Sequence, residues 1–391
     1  MNALRRMSTV RLLALAGSLI AVILVAGIAM ARGNRGPKPP AKPLPQAIHD
    51  ALAARPVAGF SARITFTNHL LPSGAVNVGG GSALLNGAGG RIWVSNDGRF
   101  RLELQSDIGD TQVIGDRHSL RLYDASRNTV YVLPLKQHST HSKDAGSHQV
   151  PGIASIKTAI SRLAQQANLT GAVPGDIAGR PVYSVRVSPG HDGGLLGGLQ
   201  LAWDSQHGVP LKVAVYSRGD SSPVLALTAT EVHYGAIPSS DLSVQAPASA
   251  HVSKVTLPTP AAGHQPGHQP DVSGTAAVAR HLSFPLAAPR SLVGLPRQTV
   301  RLVEVEGQTA AVAVYGKGLG AVVVIQQAAQ PASAGADPLA ALPTVSVNGA
   351  TGHELATALG TVLRFQRGGV SYTLIGSVPA IAAETAARAI A

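Results

Sequence analysis

Apolar and polar side chains alternate with a period of two along much of residues 59–133. Phe60, Ile64 and Phe66 alternate with polar residues, the pattern of a strand with one buried face. Gly-, Asn- and Asp-containing turns separate this segment from the similar runs that follow it. The further predicted strands are Ser82–Leu85, Arg91–Ser95, Phe100–Gln105, Thr111–Ile114, Leu120–Tyr123 and Thr129–Leu133. The pattern therefore predicts an antiparallel meander.

Two helices and four more strands are predicted around this meander. Leu44, Ile48 and Leu52 recur every four residues ahead of it, and Pro56 ends the helix that they indicate. A second, amphipathic helix follows the meander and has one apolar face, which consists of Ile153, Ile156, Ile160, Leu163 and Ala167. The strands expected after it are Val182–Val187, Gly198–Trp203, Leu211–Tyr216 and Leu225–His233. Residues 44–246 are therefore expected to form one mainly β domain.

A second, smaller unit follows a segment without periodicity. Residues 247–280 are rich in Pro, Ala, Ser, His and Gly, which predicts a linker. Residues 281–391 are expected to form a small α+β domain. Its predicted strands are Val300–Val305, Ala310–Tyr315, Ala321–Gln326, Leu363–Phe365 and Tyr372–Ile375. Pro379 opens a final helix that runs to about Ile390, since proline fits the first turn of a helix.

The N-terminal segment sets the expected location of the chain. Leu12–Ala31 is continuously apolar, and twenty residues at a rise of roughly 1.5 Å span about 30 Å, the thickness of a bilayer core. Three arginines within residues 1–11 place the N-terminus in the cytoplasm. We therefore expect a single-pass anchor in a bacterial cell membrane, a Pro-rich spacer over residues 32–43, and an extracytoplasmic remainder. The alternative is a signal peptide cleaved after Ala29-Met30-Ala31, which would release a secreted protein.

Composition excludes several classes of site. The 391 residues include no cysteine, so there are no disulfides, thiolate metal sites or cysteine nucleophiles, and there is no lipobox for a lipid anchor. The net charge of +12 fits an anionic envelope, and no nucleic-acid recognition motif accompanies it. Aromatic residues make up only 4% of the chain, so small aliphatic side chains must fill most of the core.

No motif in the sequence predicts catalysis, a metal site or a cofactor. His264 and His268 have helical ligand spacing, but Pro266 and Gly267 between them forbid a helix. Gly316–Ala321 imitates a dinucleotide-binding loop, but a β-branched run follows it, which indicates a hairpin turn. A Gly-x-Ser-x-Gly nucleophile elbow is also missing from the sequence. We therefore expect a protein that is not an enzyme.

One group of motifs runs through Leu199–Asp204, Gly208–Lys212 and Tyr234–Pro238, and a second joins Gly115-Asp116 to Leu120–Asp124. Both groups resemble motifs of the LolA-like superfamily, which includes outer-membrane lipoprotein carriers and sigma-factor regulators of the MucB/RseB type. The resemblance covers roughly residues 44–246. It implies a half-open antiparallel β-barrel that wraps a helix and encloses an apolar cavity. With its added C-terminal domain, the two-domain plan of the chain is similar to that of the sigma-regulator branch.

The resemblance and the apolar faces together predict the lining of a hydrophobic cavity. The residues expected there are Phe60, Ile64, Phe66, Leu102, Leu104, Ile153, Ile156, Ile160, Leu163, Leu201 and Trp203. The preferred interpretation is a membrane-tethered binding protein that recognises a lipid or lipoprotein acyl chain and regulates an envelope-stress sigma/anti-sigma system. The alternative is a scaffold that binds no lipid and docks an anti-sigma factor or another membrane protein.

Overall fold

Two β-sheets with separate cores make up the described part of the chain. The computed structural model describes residues 28–29, 36–71, 83–107, 109–125, 128–135, 150–191, 193–243, 247–254, 272–305, 308–329 and 342–391. The first sheet has 14 strands and the second has eight. The mainly β fold class predicted from the sequence is confirmed.

The first sheet consists of two antiparallel meanders joined through a central pair of strands. Its strands are β1 (Ile28–Ala29), β2 (Gly59–Asn68), β3 (Ala88–Ser95), β4 (Phe100–Gln105), β5 (Thr111–Gly115), β6 (Ser119–Asp124), β7 (Thr129–Pro134), β8 (Ala167–Leu169), β9 (Val173–Ile177), β10 (Arg180–Pro189), β11 (Leu196–Asp204), β12 (Pro210–Ser217), β13 (Leu225–Tyr234) and β14 (His251–Lys254). The order is β14-β7-β6-β5-β4-β3-β2-β13-β12-β11-β10-β8, with β9 also on β10 and β1 also on β13. Because β13 pairs with β2, the two meanders form one continuous surface.

The first domain differs from the sequence prediction in several features. The predicted strand Ser82–Leu85 is wrong, because the structure has a short helix, α2 (Ala83–Asn86), whose Ala83 is fully buried in the core. Strand β14 lies inside the predicted linker and pairs in parallel with β7. The helix α3 (Ile153–Leu163) ends before Ala167, which starts β8 instead.

The helix α3 is mostly exposed and is not enclosed by the first sheet. This helix contacts α1 (Leu44–Ala53), and only Ile156 of α3 is buried. A small core cluster joins the two helices to the sheet through Leu44, Ala47, Tyr183 and Trp203, with Ile160 packed against it. Most of α3 is therefore exposed on the surface of the domain, and only part of its apolar face packs against the domain.

Only two residues of the predicted membrane span are described. Ile28 and Ala29 form β1 beside Thr228 of β13 and are not helical. The rest of Leu12–Ala31, like the His264–His268 motif, lies outside the described residues. In the described ranges no helix has both the length and the apolar character needed to cross a bilayer.

The second sheet and its helices form the C-terminal domain. Its strands are β15 (Ser291–Leu292), β16 (Leu295–Val305), β17 (Gln308–Tyr315), β18 (Val322–Ala328), β19 (Thr344–Val347), β20 (Ala350–Thr357), β21 (Gly360–Arg367) and β22 (Val370–Gly376), in the order β15-β16-β17-β18-β22-β21-β20-β19. The helix α6 (Ala380–Ile390) packs on one face of this sheet through Ala386, Ala387 and Ile390. The short helix α4 (Ser239–Leu242) lies between β13 and β14 of the first sheet in sequence, and α5 (Thr275–Ala279) lies between the two sheets. All five predicted strands and the final helix of this domain are confirmed.

Candidate functional site

The residues expected to line a cavity fall into two core clusters. Phe60, Ile64, Leu102 and Leu104 are at most 6% exposed and belong to the main core of the first sheet, with half-buried Phe66 against it. Trp203 belongs to the cluster beneath α1, and Leu201 and Ile160 pack on that cluster. These residues are fully or partly buried, so they belong to a packed interior.

The two ends of α3 lie elsewhere. Ile153 is 41% exposed and Leu163 is 46% exposed, whereas Ile156 between them is buried. The structure therefore does not bring all the predicted residues to one surface. Two clefts lie elsewhere on the molecule and have other linings.

A cleft of about 670 Å³ lies between the two domains. Its walls come from turns and helix ends that are far apart in the sequence. The lining residues are Gly194, Leu195, Arg218, Val293, Leu295, Pro296, Gln298, Gly316, Lys317, Gly320, Ser377, Val378, Pro379 and Ala382. Its volume falls within the range typical of small-molecule sites.

Backbone contacts between the domains form the floor of this cleft. The Leu195 N–H lies 3.0 Å from the carbonyl oxygen of Ser377 and 2.9 Å from its hydroxyl oxygen. Gly194 has a φ of 59° and lies directly against Ser377, so a β-carbon at this position would collide with that residue. A second contact joins the domains where the Ala358 N–H donates to the carbonyl oxygen of Leu70 over 2.8 Å.

The cleft is apolar with a positive rim. Arg218 and Lys317 are its two charged lining residues, and the lining includes no carboxylate. Among the described residues neither side chain has an acidic partner within ion-pair distance. The first turn of α6, which contributes Pro379 and Ala382 to the wall, has neither an acidic residue nor a side-chain cap. Each of these features favours an anionic group at one end of an apolar ligand.

A smaller cleft of about 440 Å³ adjoins the first and shares Arg218 with it. Arg186 lines this second cleft and lies over the Tyr216 ring at 4.0 Å. Burial raises the pKa of Tyr216, whose hydroxyl donates to the side-chain oxygen of Gln200 over 2.7 Å. Asp220, the acidic residue in this lining, accepts a hydrogen bond from the Ser217 hydroxyl. The positive edge therefore continues from one cleft into the other.

Val293 in the cleft wall has an unfavourable backbone conformation. Its φ is 46°, followed by 81° at Gly294, in a two-residue turn that joins the paired residues Leu292 and Leu295. A β-branched residue rarely adopts a positive φ, and Asn-Gly is the sequence that this turn geometry prefers. Local strain of this kind is found disproportionately at binding sites.

The second sheet has an apolar row on the face opposite α6. Val314, Val323, Ile375, Val362 and Leu355 lie next to one another across five strands, in register. Ile375 is 42% exposed, and the other four are partly buried. A sheet with one solvated face normally carries polar residues at such outward positions. The row is thus a second candidate binding surface.

The sequence did not predict the interdomain cleft. It predicted correctly that Gly316–Ala321 is a turn, since β17 and β18 form a hairpin around it. It gave no indication that this turn meets Gly194 and Ser377. One signal was available: Val293-Gly294 separates two apolar runs without the usual Asn or Asp of a tight turn.

The chain is similar in structure to several solved proteins. No protein-family model and no curated protein sequence matches the chain. MucB in complex with MucA(peri) has a TM-score of 0.41 at 17% identity, over 88% of this chain and 95% of that chain. The MucA/MucB complex of Pseudomonas aeruginosa gives the same values, with a TM-score of 0.41, 17% identity and coverages of 88% and 95%. A LolA superfamily protein from Nitrosomonas europaea has a TM-score of 0.19 at 6% identity, over 86% of this chain and 91% of that chain. Both groups are those that the sequence motifs resemble.

Proposed function

We propose that the protein is a membrane-tethered, extracytoplasmic binding protein whose ligand occupies the interdomain cleft. The observation that carries this proposal is the combination of an apolar wall with two cations that have no acidic partner in the described residues. Because the main core of the first sheet is packed, the cleft offers more room for a ligand than the predicted lining does.

The ligand that fits this cleft is an amphiphile with an acidic head group and an acyl chain. Leu295, Pro296 and Val378 provide apolar contact for the chain, while Arg218 and Lys317 receive the head group. Both domains contribute to the wall, so a bound ligand would hold the domains in one arrangement. A lipid or lipoprotein acyl chain of the envelope has this chemistry, and its binding would report the state of the envelope.

The test is to purify the full chain from membranes in detergent and to measure retained lipid by mass spectrometry after solvent extraction. We expect about one acidic lipid per wild-type molecule. The double variant R218A/K317A is expected to retain about tenfold less, because both head-group contacts are lost. The matched control is K254A/R367A, which removes one lysine and one arginine that are exposed away from the cleft.

Equal retention in both double variants would contradict the cleft as the site. A wild-type extract that stays free of lipid after incubation with envelope lipids would contradict lipid as the ligand.

The apolar row on the second sheet supports a second candidate function, the docking of a membrane protein. MucB forms a complex with MucA(peri), and the partner that we propose for this surface is a membrane protein such as an anti-sigma factor. Burying Ile375 and its neighbours against an apolar segment would remove the exposed row from water.

A photocrosslinking residue at position 375 tests this second function in the native cell. We expect a crosslink to a single-pass membrane protein with an extracytoplasmic segment, lost when V323K is added to the crosslinking chain. Val252 is also exposed and apolar, at 59%, and serves as the control position. The same crosslink from position 252 would contradict a specific surface.

A further inference from the structure

The Pro-rich spacer ahead of α1 is bound to the first domain. Tyr183 donates its hydroxyl hydrogen to the carbonyl oxygen of Pro40 over 2.5 Å. Lys42 forms an isolated antiparallel bridge with Ala172, and its ammonium group lies 2.5 Å from the Asp50 carboxylate. That ion pair raises the pKa of Lys42 and lowers the pKa of Asp50. The spacer therefore follows the surface of the domain.

The bound part of the spacer begins close to the predicted membrane span. Gly36 lies against Asp176 of β9, where a β-carbon would not fit. Because Ile28 and Ala29 pair with β13, a tether would leave the domain on the N-terminal side of Ile28. This inference rests on the tether of the proposed function, which would keep the domain close to the bilayer.

The elements next to the spacer expose large apolar side chains. Eight large apolar side chains are exposed among the described residues, and half of them lie on α1, α3 and β9. These four are Leu52 at 54%, Val173 at 51%, Leu163 at 46% and Ile153 at 41%. We call the surface of α1, α3 and β9 the spacer-side face. Such side chains on an amphipathic helix are typical of insertion at a membrane interface.

The spacer-side face is also positively charged. The chain segments that form it and lead into it, residues 36–57 and 150–179, contain five Lys and Arg residues and two carboxylates. The basic residues are Lys38, Lys42, Arg55, Lys157 and Arg162, and the acidic ones are Asp50 and Asp176. Asp50 is already paired with Lys42, and the other four cations are exposed. Exposed cations of this kind are attracted to anionic lipid head groups.

We propose that the spacer-side face lies on the anionic surface of the bilayer to which the chain is tethered. Ile156 and Ile160 hold α3 to the domain, and Ile153 and Leu163 at its two ends enter the head-group region. The four exposed cations favour an anionic lipid surface over the same face of a second copy, which would carry the same positive charge. The predicted amphipathic helix thus has two apolar contacts, one with the domain and one with lipid.

The absence of cysteine from the chain allows a direct test. The full chain is reconstituted in vesicles of phosphatidylglycerol and phosphatidylcholine with an environment-sensitive fluorophore on I153C or on L163C. Phospholipids with a nitroxide near the head group serve as quenchers. The control is V252C on β14, at the opposite edge of the first sheet and 59% exposed. We expect at least threefold stronger quenching at positions 153 and 163 than at 252.

Adding K157E and R162E to the L163C chain is expected to reduce its quenching to the level of V252C, and so is the use of vesicles without phosphatidylglycerol. A chain that resists alkaline carbonate extraction but shows equal quenching at all three positions would overturn this inference and leave the tether intact. Extraction by carbonate would overturn the tether and this inference with it. Protection at position 163 that depends on protein concentration and not on lipid would assign the face to a second copy and overturn the lipid assignment.

Discussion

The Tyr234 hydroxyl donates its hydrogen to the Asp204 carboxylate over 2.8 Å, at a site where Asp204 is only 1% exposed. The other carboxylate oxygen of Asp204 accepts the backbone N–H groups of Gln206 and His207 at 2.8 and 3.0 Å. The His207 ring also stacks on Tyr234 with a centroid distance of 4.1 Å. One buried carboxylate therefore joins the turn between β11 and β12 to the end of β13.

Replacing this tyrosine is expected to destabilise the first domain. Y234F leaves the buried carboxylate short of one donor, which costs about 1–3 kcal/mol of unfolding free energy. Both tryptophans, Trp93 and Trp203, lie in the first domain, so fluorescence during urea unfolding measures this domain alone. Y123F is the matched control, since the Tyr123 hydroxyl has only a long 3.3 Å contact with Asn128. Equal losses in both variants would contradict a special role for Asp204.

The turn between β11 and β12 requires glycine at position 208 for two reasons, its positive φ and its close packing against α1. Gly208 has a φ of 67° and lies directly against the carbonyl oxygen of Ala51 in α1, whereas Gly219 has a φ of 88° with open space around it. G219A should cost about 1 kcal/mol from its backbone conformation alone. G208A should cost at least about 1 kcal/mol more, because the turn must also move away from α1. Urea unfolding followed by tryptophan fluorescence gives the difference, and a smaller loss for G208A would contradict close packing of the turn on the helix.

The sequence predicted most strands of both sheets because alternation of apolar and polar residues is a local signal. Phe60, Ile64 and Leu102 are buried as their pattern predicted. Strand β20, with the sequence ATGHELAT, was not predicted because its inward positions include Gly352 and Glu354, which break the alternation.

The candidate sites could not be predicted from local sequence patterns, because they depend on contacts between residues that are distant in the chain. The cleft lies where Gly194 and Ser377, which are 183 positions apart in the chain, meet at the domain boundary. The sequence predicted correctly that α3 is amphipathic. Packing against α1 decides which side chains of its apolar face are buried. Arg101 illustrates the same limit: it alternates with apolar residues as an exposed side chain would, yet it is partly buried, 4.8 Å over the Trp93 ring.

Replacing Val293 is expected to stabilise the second domain and to weaken lipid binding. V293N places the preferred residue at a φ of 46° and should stabilise the second domain by about 1 kcal/mol. It should also weaken lipid retention, because a polar side chain replaces part of the apolar wall. A178N is the matched control: Ala178-Gly179 forms the same turn, with φ values of 53° and 72°, outside the cleft lining. Thermal unfolding followed by circular dichroism and the lipid assay check both effects, and lower retention in A178N as well would contradict the link to the cleft.

A buried carboxylate in the second domain opposes folding at neutral pH. Glu354 is 8% exposed, and in the described part of the chain its Oε2 atom has no hydrogen-bond partner. Burial raises the pKa of Glu354 above its ordinary value of 4.5, and the nearby Glu384 carboxylate raises it further. The folded state therefore holds this proton more tightly than the unfolded state does. Its contribution to stability is fully present below about pH 4.5 and is lost as the pH rises through the folded pKa.

Removing this charge is expected to stabilise the second domain in a pH-dependent way. E354Q should unfold at the same urea concentration as the wild type at pH 4, where both side chains are neutral. At pH 7 the variant should gain about 1 kcal/mol, because the unpaired charge is gone. Hydrogen exchange of the β20 and β21 amides reports the second domain specifically, and E304Q on the exposed end of β16 serves as the control. A gain of the same size at pH 4 would attribute the effect to packing of the amide and would contradict a raised pKa of Glu354.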